Sequence, residues 1–243
     1  MTTIVSGFLS KFNENTNHRS IDQYYEHGIK LLKINVPKII FVDELMYDKI
    51  KLHDNEFTKI VLYDRKESYL HPYINSEHLT NFELHSTNPN KDTMDYMFII
   101  CNKTEWVKKA IEINYFNTNQ FIWIDFGIHH VIESEDKLNN YVLNLQNKLY
   151  HNIRIASIWN INYTYNVDIY KNIAWYFAGG VFGGDKEQLL LFAEKMKMEC
   201  IKIITEKKTI MWEVNVWYLI YKQYNDLFDC YICDHNDTII SNY

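Results

Sequence analysis

Three apolar runs in this chain end on an acid, and that repeated pattern constrains its fold more than any other feature. Lys38-Ile39-Ile40-Phe41-Val42 runs into Asp43-Glu44, Lys59-Ile60-Val61-Leu62-Tyr63 into Asp64-Arg65, and Gln120-Phe121-Ile122-Trp123-Ile124 into Asp125. Short β-branched and aromatic runs without polar alternation read as strands buried on both faces, the mark of a parallel sheet covered by helices. A first strand is predicted over Thr3–Leu9, another over Ile153–Trp159 and a last near Tyr231. The run from Gln120 is read as continuing to Ile128, with Gly127 as its turn glycine.

Helical patterns fall between these runs. Ser20 is the N-cap of a helix reaching Leu32, with Ile21, Tyr24, Tyr25, Gly28, Leu31 and Leu32 near one face. Further helices are predicted over Thr93–Asn114 with a break at Asn102, and over Ser134–Tyr150, Asp185–Thr205 and Met211–Tyr224. Residues 66–95 are polar and irregular, an insertion or a set of short helices. A chain of 243 residues alternating strand and helix predicts one large α/β domain with a mostly parallel sheet.

In such sheets ligands gather beyond the carboxyl ends of the strands. Those ends carry Gly7, Asp43-Glu44, Asp64-Arg65 and Asp125. No G-x-G-x-x-G follows the first strand and no Walker lysine motif occurs, which counts against a dinucleotide enzyme or a phosphate-loop NTPase. A net charge of −6 without a long basic run argues against nucleic acid as a partner. No apolar run approaches the ~18 residues of a membrane span, and no leader pattern opens the chain, so a soluble, cytoplasmic protein is expected. Cys230 and Cys233 form a C-x-x-C, but on a strand they face opposite sides, which disfavours shared metal coordination.

Several groups have chemistry to offer. Asp125 follows four apolar residues, and a buried acid is costly unless it is paired or metal-bound. Magnesium or manganese would suit such an oxygen ligand and a substrate phosphate; a turn cap is the structural alternative. Four of the seven glycines crowd into Gly179-Gly180-Val181-Phe182-Gly183-Gly184. They offer a backbone wall to a sugar or phosphate, or else a tight turn. Glu213 opens a helix, where an acid complements the dipole or, as a general base, accepts a proton, with Trp212 as a stacking wall. Lys103, after Asn102, could reach a phosphate, and His235 a metal or a diphosphate. No zincin spacing and no nucleophile elbow is present.

Phe121 to Ile128 followed by a histidine, then Phe177-Ala178 and the glycine quartet, resembles the HtrL/YibB (WlaTC) family, whose members look like GT-A glycosyltransferases. Thr3-Ile4-Val5-Ser6-Gly7-Phe8 with Arg19 downstream is similar too, as is Asn102-Lys103-Thr104-Glu105-Trp106. The resemblance runs through nearly the whole chain in the right order. It implies a single GT-A-like domain, with residues 1–130 the nucleotide-binding half and 131–243 the acceptor-side half. It places the nucleotide at Ser6, Gly7 and Phe8 with Arg19, Asp43 or Glu44 at the base or ribose, and Asn102 and Lys103 at the nucleotide or sugar. The donor sugar would meet Trp123, Gly127, Gly179, Gly180, Gly183, Gly184 and Trp212. Asp125 stands for the first acid of a D-x-D motif whose second place is Gly127, and His235 for the late histidine of the metal site. Glu213 and Asp125 are then the catalytic pair. The implied function is glycosyl transfer from a nucleotide sugar, by expectation a UDP-sugar with Mn²⁺ or Mg²⁺, to a glycan hydroxyl, and a homodimer is compatible with it. A nucleotidyltransferase on a similar core and an inactive glycan-binding protein are the alternatives.

Overall fold

The apolar runs become strands because each can bury both faces only inside a sheet covered on both sides. The computed structural model describes residues 1–10, 20–74, 79–86 and 88–243. Among the described residues seven strands, β1 (Thr2–Phe8), β2 (Lys38–Val42), β3 (Thr58–Leu62), β4 (Gln120–Ile124), β5 (Ile153–Ser157), β6 (Phe177–Asp185) and β7 (Phe228–Ile232), form one sheet in the order β3-β2-β1-β4-β6-β5-β7. β1 pairs in parallel with β2 and β4, β2 with β3, and β5 with β7. β6 alone runs antiparallel, to β4 and to β5. This is the expected α/β domain with a mostly parallel sheet flanked by helices, and the sheet draws strands from both halves of the chain.

Helices cover both faces, and the alternation of side chains along each strand feeds both cores. Val5, Ile39 and Phe41 point into the larger core. There they meet α4 (Met94–Cys101), α5 (Lys103–Ile113), α7 (Lys186–Lys202) and α8 (Glu213–Gln223). Ile4, Ile122 and Ile124 point the other way, toward α1 (Ile21–Leu32), α6 (Glu135–Leu145) and α9 (Thr238–Ser241). Ile40 and Val42 form a third, smaller core with Leu32 of α1 and Met46 of α2 (Glu44–Ile50). A one-turn helix, α3 (His71–Ile74), lies in the irregular stretch. Ser20 caps α1 in a full capping box with Gln23. Among the described residues no helix is long and apolar enough to cross a membrane.

The helical pattern at 93–114 breaks at Asn102, as its sequence predicts, into α4 and α5. Other boundaries move. β4 stops at Ile124 rather than Ile128, and Gly127 leads into a short 3₁₀ turn over Ile128–Val131. α6 stops at Leu145, short of Tyr150. The Tyr150 backbone is held by the side chain of Gln120 through bonds of 3.0 Å in each direction, which draws the chain off the helix toward β5. The glycine quartet lies inside β6 rather than in a turn after it. All four cysteines are free, including the C-x-x-C pair.

Candidate active site

The chain turns from β1 to β2 on one side and places β4 on the other, so β1 and β4 flank the point where the strand order reverses. A crevice opens at such a point because the loops beyond the two strand ends diverge. Here it is a cleft of about 620 Å³, with Gly7 and Phe8 from the end of β1 and Asp125 and Gly127 from the end of β4 on its wall.

Asp125 is fixed by its neighbours. Its backbone N–H donates to the Gly180 carbonyl at 2.9 Å, extending the β4–β6 ladder by one bond. Its Oδ1 accepts from the Trp123 indole N–H at 2.7 Å. Lys103 at the start of α5 reaches under it and donates to three acceptors, Glu213 Oε1 and the Gly179 carbonyl at 2.9 Å and Asp125 Oδ2 at 3.3 Å, with its ammonium also 2.9 Å from Asp125 Oδ1. An ammonium has three N–H donors, so this set occupies all of them. Lys103 is only 6% exposed and Glu213 only 5%, while the Asp125 side chain is 35% exposed. Burial alone would lower the Lys103 pKa, but Asp125 and Glu213 outweigh it and hold the ammonium above the ordinary lysine value. The group therefore stays cationic at neutral pH, and it sets two carboxylates from opposite halves of the chain on one bridge.

Glycine at 179 is a requirement of this bridge. A Cβ there would overlap Glu213 Oε1 and come within 3.3 Å of Lys103 Nζ. Gly179 and Gly180 line the cleft, whereas Gly183 and Gly184 do not. Those two face sheet neighbours: a Cβ on Gly183 would meet the Phe121 carbonyl at 2.5 Å, and Gly184 has φ +148°, in the region that favours glycine. Half of the quartet thus serves the sheet and half the cleft.

Other residues singled out by sequence are placed as follows. Trp123, Gly127, Trp212 and His235 line the cleft. Ser6 is fully buried within β1, and Asp43 caps α2 through Met46 N at 3.0 Å while accepting from Ser10 Oγ at 2.7 Å. Neither they nor Glu44 reach the cleft wall. Asn102 faces away from it, bonded to Ser68 Oγ at 2.7 Å and to the Tyr63 hydroxyl at 3.2 Å. Arg19 lies outside the described residues.

A divalent cation held by Asp125 and His235 does not fit this donor set. Asp125 Oδ1 is already engaged by an indole N–H and an ammonium, and its Oδ2 lies 3.3 Å from that ammonium. Gly127 has no side chain to offer a second carboxylate, and the His235 ring stands edge-on to Trp175 at 4.4 Å. Among the described residues no group of three or more His, Cys, Asp or Glu side chains is placed to hold a metal.

Several cleft residues carry no sequence signal. Tyr96 sits in the first turn of α4; burial first, and then Glu213, Tyr24, Asp125 and Asp92, raise its pKa, so its hydroxyl stays protonated and able to donate. Lys91 places its ammonium over the Tyr96 ring, 5.2 Å from the centroid, and has no carboxylate partner among the described residues. Asp92 is buried between Ser86 Oγ at 2.8 Å and the Trp212 indole N–H at 3.3 Å. They come from the irregular stretch 66–95 and its border with α4, where neither periodicity nor motif marks a site.

A family model described as "Bacterial protein of unknown function (HtrL_YibB)" matches residues 1–239. No curated protein sequence matches the chain. Among solved structures, the apo form of mouse xyloside xylosyltransferase 1 is similar with a TM-score of 0.48 and 11% identity, over 95% of this chain and 85% of that one. The 4-diphosphocytidyl-2C-methyl-D-erythritol synthase of Anaerococcus prevotii DSM 20548 is similar with a TM-score of 0.43 and 10% identity, over 99% and 90%. A CMP:2-keto-3-deoxy-manno-octonic acid synthetase complexed with CTP gives a TM-score of 0.46 and 7% identity, over 96% and 89%.

Proposed function

The chain belongs to the HtrL_YibB family, and from that premise we propose that it is a glycosyltransferase using a nucleotide-sugar donor. The observation that carries the reading is the Asp125–Lys103–Glu213 bridge in a cleft at the strand-order reversal. A cleft at that point suits a nucleotide, and the cleft's size suits a nucleotide joined to a sugar. Glu213 Oε1 is held by Lys103, and no bond among the described residues engages Oε2. In the proposed reaction the acceptor hydroxyl oxygen bonds to the anomeric carbon as the bond from that carbon to the diphosphate oxygen breaks. The hydroxyl proton passes to Glu213 Oε2 and the electron pair leaves with the nucleoside diphosphate.

Lys103 acts here by orienting the two carboxylates, since its donors are spent on them and on Gly179. Charge on the departing diphosphate falls to Lys91, the cleft cation without a carboxylate partner among the described residues. The nucleotide occupies the side contributed by residues 1–130, around Gly7 and Phe8, and the acceptor the side contributed by residues 131–243. A UDP-sugar is the expected donor and a glycan hydroxyl the expected acceptor.

The test is a thermal-shift panel of UDP-, GDP-, CMP- and dTDP-sugars, each with and without Mn²⁺. A native-state ligand raises the melting temperature by mass action. One nucleotide class should give a shift that is lost in Asp125→Ala. Release of a nucleoside diphosphate during turnover supports transfer, and release of pyrophosphate from an NTP would instead mark a nucleotidyltransferase. A folded sample that shifts with no nucleotide sinks the donor site.

A further inference from the structure

Four tryptophans line the cleft, and three of them are not available to a ligand. Trp106 is 0%, Trp123 1% and Trp212 4% exposed. Trp212, the stacking wall expected from sequence, also spends its indole N–H on Asp92. Trp175 alone among the cleft tryptophans is half-buried.

Its position is rigidly set from both sides, and both anchors are on α8, the helix that Glu213 opens. Before it, the Ala174 N–H donates to Asn215 Oδ1 at 2.8 Å, while Asn215 Nδ2 donates to the carbonyls of Ile169 at 2.7 Å and Asn172 at 2.8 Å. Asn215 is fully buried and thereby uses both amide hydrogens. After it, Tyr176 is buried with its ring stacked on Tyr218, centroids 3.6 Å apart. The Trp175 carbonyl accepts from Trp159 N–H at 2.8 Å, and the exposed His235 ring stands edge-on to the indole. A large apolar ring is thus held on the cleft wall, with its chain anchored on either side by buried residues of α8.

We infer that Trp175, with His235 packed perpendicular to it, is the subsite for the acceptor saccharide, and that Asn215 is the positioning residue that fixes it beside Glu213. A pyranose has an apolar face of C–H groups and a rim of hydroxyls. An indole face flanked by an imidazole matches both, and a preorganised ring binds without the cost of ordering it. This inference rests on the glycosyltransferase reading for the identity of the saccharide as acceptor, not for the existence of the subsite.

The experiment is saturation-transfer NMR with the methyl pyranosides of glucose, galactose, mannose and xylose, with and without saturating UDP. Wild type, Trp175→Ala, Trp175→Phe and Asn215→Ala are compared, and nucleotide-induced thermal shifts are measured on each. Wild type should contact at least one pyranoside. Trp175→Ala should weaken it about tenfold while Trp175→Phe, which keeps an aromatic face, loses less. Asn215→Ala should weaken the same pyranoside, and the nucleotide shift should persist in all three variants. Pyranoside binding equal in wild type and Trp175→Ala overturns the inference, as does a wild type that shifts with a nucleotide and contacts no pyranoside. Trp175-dependent pyranoside binding in a protein that shifts with no nucleotide keeps the subsite and removes the donor reading, so the two failures are distinct.

Discussion

Replacing Lys103 with methionine keeps most of the side chain's length and removes its charge. In the folded protein the ammonium donates to Glu213 Oε1 and the Gly179 carbonyl at 2.9 Å and to Asp125 Oδ2 at 3.3 Å, with Lys103 6% and Glu213 5% exposed. Without it, Glu213 is a buried carboxylate beside a second one. Breaking a buried pair in this way costs about 3–5 kcal/mol. A domain of this size loses about 2–4 °C per kcal/mol, so the melting temperature should fall by roughly 6–20 °C at neutral pH. The double variant Lys103→Met with Glu213→Gln should recover a large part of that loss, because the uncompensated charge is gone.

Dependence on pH separates this account from simple loss of packing. In the wild type the Lys103 pKa is raised, so its stabilisation is fully present below the ordinary lysine value of about 10.4 and lost only as pH rises through the higher folded value. It contributes no slope between pH 5 and 9. In Lys103→Met the strain is relieved by protonating a carboxyl group, so the deficit against wild type should shrink as pH falls toward about 4–5 and widen above it. Melting curves at half-unit steps from pH 5 to 9 measure both. A variant melting within about 2 °C of wild type, with a difference that does not change with pH, would refute the bridge as an energetic unit.

Gly179→Ala should destabilise by about 1–3 kcal/mol, because the new methyl group overlaps Glu213 Oε1, and should abolish transfer while the nucleotide-induced shift remains; melting curves and a turnover assay read the two effects. Asn215→Ala leaves the buried Ala174 N–H without its acceptor, at about 1–3 kcal/mol, and releases the carbonyls of Ile169 and Asn172, so limited proteolysis should find new cleavage within residues 160–174. Lys38 donates to the carbonyls of Ile34 and Val36, yet burial pushes its pKa down to about 8. Between pH 8 and the ordinary lysine value the unfolded chain then binds more protons than the folded one, so stability should rise with pH across that window. The difference in melting temperature between wild type and Lys38→Met should carry that slope; equal slopes in the two proteins would refute it.

Much of the sheet is legible in the residues themselves. Lys38–Val42 is a strand because the apolar, mostly β-branched run Ile39-Ile40-Phe41-Val42 can be satisfied only between two covered faces, and its limits are met to the residue. Ser20 with Gln23 and the break at Asn102 are equally local, since capping and helix interruption act over three or four residues. Asp125 stood out for a similar reason: an acid after four buried residues must be compensated by something.

What compensates it is not local. The bridging lysine lies 22 residues upstream and Glu213 lies 88 downstream of Asp125, and no spacing rule joins them. The same holds for the division of the glycine quartet, which depends on β6 running antiparallel beside β4, and for Trp175, whose exposure follows from Asn215 and Tyr218 on another element. Short-range patterning determined most of the strands and helices, because burial and capping are settled within a few residues, but not β6, whose glycine quartet carries no strand pattern. Which charges meet, which tryptophan stays open and which glycine must remain bare were decided by the tertiary structure, because those outcomes depend on distances between elements that only the strand order creates.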